Sequence, residues 1–320
     1  MIEFTKMNEE TKLSGFAKYA WFVLAYNVLV ILWGVFLRAS KSGDGCGQHW
    51  LTCHGEVVPS APELKTIIEF SHRIMSAADG IIVIILVVWA FRAFPKGHIL
   101  RKLSLASLAL VIVEGLIGAG LVLTGNTAGS YSESRPFWAM GHLISTFILL
   151  TAMTLNAWSA SSGKFFSFKG SGKILLLLGI AVLGILFVGM SGSLAALSNM
   201  LFPSQSLTEG IAKDFSGTSH YLLRLRISHP ILSILTSVYL IFLAGWIRKQ
   251  AENNSSVVRW SNVLSLLVFL QIGFGALTLL MLAPILMQLG HLLLADLIWI
   301  SFVLLSANIL AENSEKKSVS

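Results

Sequence analysis

The sequence predicts an all-α membrane protein with eight transmembrane helices arranged as two pseudo-symmetric four-helix bundles. Three observations predict it. Hydrophobic residues make up 55% of the 320 positions and charged ones only 12%, about half the charge of an ordinary soluble domain, and the mean hydropathy is +0.75. Eight apolar runs approach the ~20 residues that cross a bilayer. Finally, every second run carries one histidine near the same end, in a plan that the second half of the chain repeats.

Residues 1–18 are polar, with Glu3, Glu9 and Glu10 beside Lys6, Lys12 and Lys18. They lack the acid-poor, Arg/Ser-rich character of a transit peptide, and no cleavable signal stands out. The first span covers residues 19–37, and a Gly- and Ser-rich loop holding both cysteines follows to about residue 65. Span two is 66–91, and the next loop carries Arg92, Lys96, Arg101 and Lys102. Span three is 103–123, a Gly/Ser/Thr loop runs to Pro136, and span four is 137–160. Lys164, Lys169 and Lys173 mark the linker at 161–173. Span five is 174–194, and a long loop leads to span six at 222–247, followed by Arg248, Lys249 and Arg259. Span seven is 260–282, a turn at Pro284 opens span eight at 286–310, and 311–320 is a polar tail with Lys316 and Lys317. The organisation is thus an N-terminal segment 1–18, a four-helix half 19–160, a linker 161–173, a second half 174–310 and a tail.

With both ends on one side, that side holds 15 of the 23 Lys and Arg residues. The positive-inside rule therefore expects both termini in the cytoplasm of a multi-pass plasma-membrane protein. The formal charge of +7 follows from the same bias. No basic tract with interleaved aromatics points to nucleic acid, so the lipid bilayer is the expected partner.

All four span histidines then sit at outer ends: His72, His142, His229 and His291. Their separations are 70 residues in the first half and 62 in the second, and spans three and seven share a Gly-rich stretch starting at Glu114 and Gln271. Polar groups in lipid must face protein, water or a cofactor. A single such histidine commonly hydrogen-bonds a neighbouring helix, but four at matched depth in a duplicated frame suit metal ligation. Two histidines from different helices in each half fit two hemes. Arg38, Arg73, Arg224 and Arg226 lie at outer helix ends, and guanidinium binds carboxylates such as heme propionates. Arg73 and Arg226 lie within three residues of a histidine, which makes them the propionate candidates against simple headgroup contact. Glu69 precedes His72 by one helical turn and shares its face; the matching place before His229 is Arg226. One site therefore reads as reactive and the other as holding a resident cofactor. Asp79, Glu114 and Asp296 are further acids inside spans, suited to proton transfer or to hydrogen bonds between helices.

Cys46 and Cys53 lie seven residues apart in the first outer loop, within Gly45-Cys46-Gly47-Gln48-His49-Trp50-Leu51-Thr52-Cys53-His54-Gly55. They can form a disulfide on the oxidising side; a zinc site from Cys46, His49, Cys53 and His54 is the other reading. The Cys-x-x-Cys-His of a c-type heme is absent.

Taken in order, Leu37-Arg38, the Cys46–Cys53 loop, Glu69-Phe70-Ser71-His72-Arg73, Gly141-His142-Leu143, His229-Pro230 and Gly290-His291-Leu292 resemble the heme A synthase family across residues 37–310. The resemblance implies an eight-helix enzyme, a heme-modifying oxidoreductase that oxidises the C8 methyl of heme O to the formyl group of heme A for terminal oxidases. It implies that His72 and His142 frame the substrate heme, that His229 and His291 hold heme b, and that Glu69 is catalytic. It also implies a disulfide between Cys46 and Cys53 of the bacterial branch, and a heme O synthase and an electron donor as partners. Where the family often has Gln, this chain has Glu114. The rival class is a di-heme cytochrome b-type membrane electron carrier, though each helix here bears one histidine where cytochrome b helices often bear two. The sequence is also compatible with a homo-oligomer.

Overall fold

The computed structural model describes residues 13–168 and 171–319. Most of the 1–18 segment and Lys169 of the linker lie outside the described residues. The elements are α1 (Gly15–Ala39), α2 (Leu64–Ala93), α3 (Ile99–Leu123), α4 (Arg135–Ser162), α5 (Gly172–Leu201), α6 (Leu207–Phe215), α7 (Tyr221–Arg226), α8 (Ser228–Gln250), α9 (Ser255–Leu280) and α10 (Ile285–Val319). Eight helices, with α7 and α8 counted as one, are long and apolar enough to cross a membrane. Large side chains such as Phe242 (74% exposed) face outward along them, as expected where lipid is the solvent.

Local chemistry sets the helix ends. Ser14 accepts a hydrogen bond from the Ala17 amide at 3.1 Å, so α1 starts at Gly15, ahead of the expected position 19. Pro136 opens α4, and Gly163, with φ +65°, closes it, as a left-handed cap requires. Pro230 has no amide proton to give the Arg226 carbonyl, which accounts for the break at Ile227 between α7 and α8. The long loop after span five is not irregular: it contains α6, whose first turn is capped by Ser206 accepting from the Glu209 amide at 3.2 Å. The last helix passes residue 310 and continues to Val319.

In the first half α1, α2, α3 and α4 pack in sequence, with α1 closing against α4. In the second, α5 packs on α8, α8 on α9 and α9 on α10. Between them α4 touches both α5 and α10, and α1 touches α10. This pattern is compatible with two related four-helix units. Helix α10 is at the centre: 67% of its apolar stretch is buried, against 11% in α3 and α9. Trp299 of α10 fastens it to α4. Its Nε1 donates to the Phe147 carbonyl at 2.7 Å, and its ring stacks on Phe147 at 4.9 Å. Within the apolar interior, polar atoms find helix partners: Asn27 donates to Asp79 at 2.9 Å between α1 and α2, and Asn156 donates to Ser104 at 2.8 Å between α4 and α3.

Candidate functional site

His72, His142, His229 and His291 lie six to eight residues from the starts of their spans at Leu64, Arg135, Tyr221 and Ile285. Each histidine thus stands about two turns into its span. His229 and His291 face each other with ring centres 6.2 Å apart and planes at 87°. Two imidazoles brought together from α8 and α10 are a donor set that would suit a heme iron. His229 Nδ1 lies 3.2 Å from the Val188 carbonyl and 3.2 Å from Ser191 Oγ. A donated Nδ1 proton fixes the tautomer that leaves Nε2 free to ligate. Gln271 of α9 donates to the His291 carbonyl at 3.1 Å.

In the first half the two histidines come from α2 and α4. His142 Nδ1 is 2.5 Å from Glu114 Oε2 of α3, so Glu114 meets the ring of the histidine on the following helix, where Gln271 meets the His291 backbone carbonyl. The Nδ1 atoms of His72 and His291 are buried without a hydrogen-bond partner. Three of the four rings rest on a glycine of a neighbouring helix. A side-chain carbon at Gly34 would lie 3.1 Å from His72 Cε1, one at Gly192 2.9 Å from His229 Cε1, and one at Gly275 2.9 Å from His291 Cε1. Sequence reading attended to the Gly-rich stretches of spans three and seven and missed Gly34 and Gly192. The signal was present as lone glycines among bulky apolar residues.

Glu69 is 3% exposed. Its Oε2 accepts the Cys46 amide at 2.9 Å, and its Oε1 takes Arg73 Nη2 at 2.5 Å. Arg73 Nη1 also donates to the carbonyls of His49 and Thr52, each at 2.8 Å. Cys46 and Cys53 are joined by a disulfide, which removes the zinc alternative. Of its other two candidate ligands, His54 bonds the Gly45 carbonyl at 2.8 Å and His49 is exposed. Thr66 donates to the same Gly45 carbonyl at 2.6 Å. The cysteine loop is therefore laced to the first turns of α2, with Glu69 at the knot.

Arg226 is equally occupied: Nη2 is 2.6 Å from Asp214, Nη1 donates to Asn199 at 2.5 Å, and Nη2 also donates to the Gly210 carbonyl at 3.0 Å. The two arginines singled out from sequence thus hold protein, one the cysteine loop and the other α6. His220 accepts from the Leu222 amide at 3.3 Å, capping α7, and stands edge-on to Tyr131 at 5.0 Å. The Tyr131 hydroxyl meets that of Tyr221 at 3.2 Å, which pushes it up to about 12. These aromatics tie the loop before α4 to α7. Of the three remaining acids, Asp79 is bonded to Asn27, Glu114 meets His142, and both carboxyl oxygens of Asp296 are buried without a partner.

The fold and its site define a class: a multi-pass helical membrane protein with histidines from four spans at one end and a disulfide-closed loop above an acid. The family follows from comparison, since a model described as a cytochrome oxidase assembly protein matches residues 17–303, and the chain belongs to this COX15-CtaA family. It is 41% identical over 303 residues to a protein named protoheme IX farnesyltransferase from Thermus thermophilus, covering 95% of this chain and 50% of that one. Over 137 residues it is 36% identical to proteins named heme A synthase from Alkalihalophilus pseudofirmus and Halalkalibacterium halodurans, covering 43% of this chain and 44% of theirs. The chain spans about half the length of the curated relatives it matches.

Proposed function

We propose that this chain is a heme A synthase, oxidising the C8 methyl group of heme O to the formyl group of heme A for terminal oxidases. The observation that carries the reading is the asymmetry of the two histidine pairs. One has a buried carboxylate, Glu69, a helical turn from its histidine; the other has two imidazoles with ring centres 6.2 Å apart and an arginine turned away toward Asp214. The names of the heme A synthase relatives support it. The Thermus name denotes transfer of a farnesyl group to protoheme IX, the kind of reaction that supplies heme O. Half of that protein lies outside the match, so the name is not carried to this chain.

In this reading residues 19–160 form the substrate half and 174–310 the cofactor half. The histidine end faces outward and both termini are cytoplasmic, in a bacterial plasma membrane. His229 and His291 hold heme b, which supplies one-electron redox chemistry when bound. His72 and His142 hold the substrate iron and orient the porphyrin. Glu69 would stabilise positive charge developing at the methyl carbon, and its hydrogen bonds with the Cys46 amide and Arg73 hold it in place. Two successive hydroxylations give a geminal diol that loses water to the aldehyde. Each takes its oxygen either from water, giving up two electrons and two protons to an acceptor, or from dioxygen, with two electrons from the donor, two protons and loss of the second oxygen as water. Either route needs a proton carrier at the site. Glu69 and, at His142, Glu114 are the carboxylates at hand. A heme O synthase and a membrane electron donor are the partners this requires.

The test is to express the chain in cells that make heme O, purify it and chromatograph its extracted hemes. Heme b with heme A is expected, with heme A abolished by Glu69→Ala while heme b is retained. Two equivalents of heme b and no heme O or heme A, unchanged by that substitution, would identify an electron-carrying cytochrome and end this reading.

A further inference from the structure

At the histidine end, Lys65, Arg73, Lys213 and Arg226 are ion-paired with Asp44, Glu69, Glu209 and Asp214. Lys41 and Arg224 are exposed to water. Arg38 and Arg135 remain, and neither has an acid partner among the described residues. Arg135 is 4% exposed. Its Nη1 donates to the Ser130 carbonyl and its Nη2 to the Ala128 carbonyl at 2.6 Å, with Met200 Sδ at 3.9 Å. All of these are uncharged. Arg38 is half-buried, and its side chain makes no hydrogen bond or ion pair among the described residues. Arg38 ends α1 and Arg135 begins α4, so the two lie at the same end of two helices that pack together. Two like charges held together and shielded from water are costly unless an anion joins them.

Their register says which anion. Gly34 lies against the His72 ring, and Arg38 follows it by four residues on the same face, ~6 Å further toward the histidine end. Arg135 precedes His142 by seven residues, also on the same face and ~10 Å further out. The pair therefore sits above the His72–His142 site. The corresponding places in the second half, four residues after Gly192 and seven before His291, hold Ala196 and Pro284.

We propose that Arg38, with Arg135 beside it, is a dicarboxylate-binding subsite that takes the two propionates of the tetrapyrrole at His72 and His142. This rests on the reading that a heme occupies that site. The propionate anchor is thus moved from Arg73 and Arg226, which hold protein, to the two guanidiniums without counter-charge. The second half, lacking both, does not share it.

The protein is purified with its resident heme and titrated with protoheme or with protoheme dimethyl ester, whose carboxylates are blocked, following the Soret band. The wild type is expected to bind the free acid at least about tenfold more tightly than the ester, since charge-assisted hydrogen bonds are lost with the ester. Arg38→Gln should bring the two within about threefold, and Arg38→Lys should restore part of the difference because it keeps the charge. Equal affinities in the wild type, or undiminished discrimination in Arg38→Gln, would overturn the subsite while leaving the heme site standing. No uptake of either probe beyond the resident heme would instead remove the heme site itself, and the subsite with it.

Discussion

The two histidine pairs sit at the same depth in similarly connected helices, yet their surroundings carry different charge. Around His72 and His142 the structure gathers Glu69, Glu114 and Arg73, with Arg38 and Arg135 above. Around His229 and His291 the contacts are neutral: the Val188 carbonyl, Ser191, Gln271 and two glycines. Arg226, in the place corresponding to Glu69, is drawn off to Asp214 and Asn199. A neutral, close-fitting pair of imidazoles suits a permanently held group. Ionisable groups suit a site where charge develops and protons move. On the proposed reading, one helical frame supports a holding site and a reacting site by changing a few side chains.

The largest expected effect breaks the reacting side alone. Glu69→Gln keeps the size but removes the charge, and should lower heme A formation by at least about 100-fold, the usual worth of a positioned acid or base. The heme extracted from the second half should be unchanged. Equal loss of both would make Glu69 a folding residue. The converse break is His291→Ala, which should abolish the low-spin spectrum of the resident heme, measured by absorbance of the reduced protein. Gly275→Val, which pushes a side chain into the His291 ring, should weaken heme retention in the same direction by less.

Exchanging the matched polar residues sharpens the comparison. Glu114→Gln gives the first half the amide that the second half has at Gln271, and should slow turnover several-fold without altering heme content, read as kcat against bound heme. Arg226→Gln leaves Asp214 without its partner in a mostly buried setting, and should cost on the order of 2 kcal/mol, seen as a lower Tm with the α6 region exchanging faster. The smallest effect belongs to Glu209 at the surface. Lys213 and the Gln205 amide hold its carboxyl below the usual carboxylate range. Its folded value lies below its unfolded one, so its stabilisation is complete above the ordinary carboxylate pKa and is lost as pH falls through the lowered value. Glu209→Gln should remove only that acid limb of the stability profile, and added salt should shrink it.

Some features the sequence reading passed over were legible in local chemistry. Ser206 followed three residues later by Glu209 is a capping signal, and it marks α6 inside what reads as a long loop. Pro230 marks the interruption before α8. Other features had no local signature. Arg73 and Arg226 look alike as basic residues near histidines, and nothing nearby in sequence says that one reaches back to the carbonyls of His49 and Thr52 and the other to Asn199. The zinc and disulfide readings of Cys46 and Cys53 also use the same residues; only the placement of the two sulfurs and of His49 and His54 separates them.

By itself the sequence determined the number of spans, the depth of the histidines, the acid one turn from His72 and the contrast between Glu69 and Arg226. These are sums or spacings along one stretch of chain: transfer of about 20 apolar residues into lipid, and the turn of a helix. The tertiary structure decided which charges are paired, which glycines lie under the imidazoles, and which two arginines are left without an acid. Beyond the one-turn pairs Glu69–Arg73 and Glu209–Lys213, these contacts depend on side chains from distant positions meeting within a few ångströms. Glu69 meets the Cys46 amide across 23 residues and Arg226 meets Asn199 across 27, and no local pattern in the chain records that meeting.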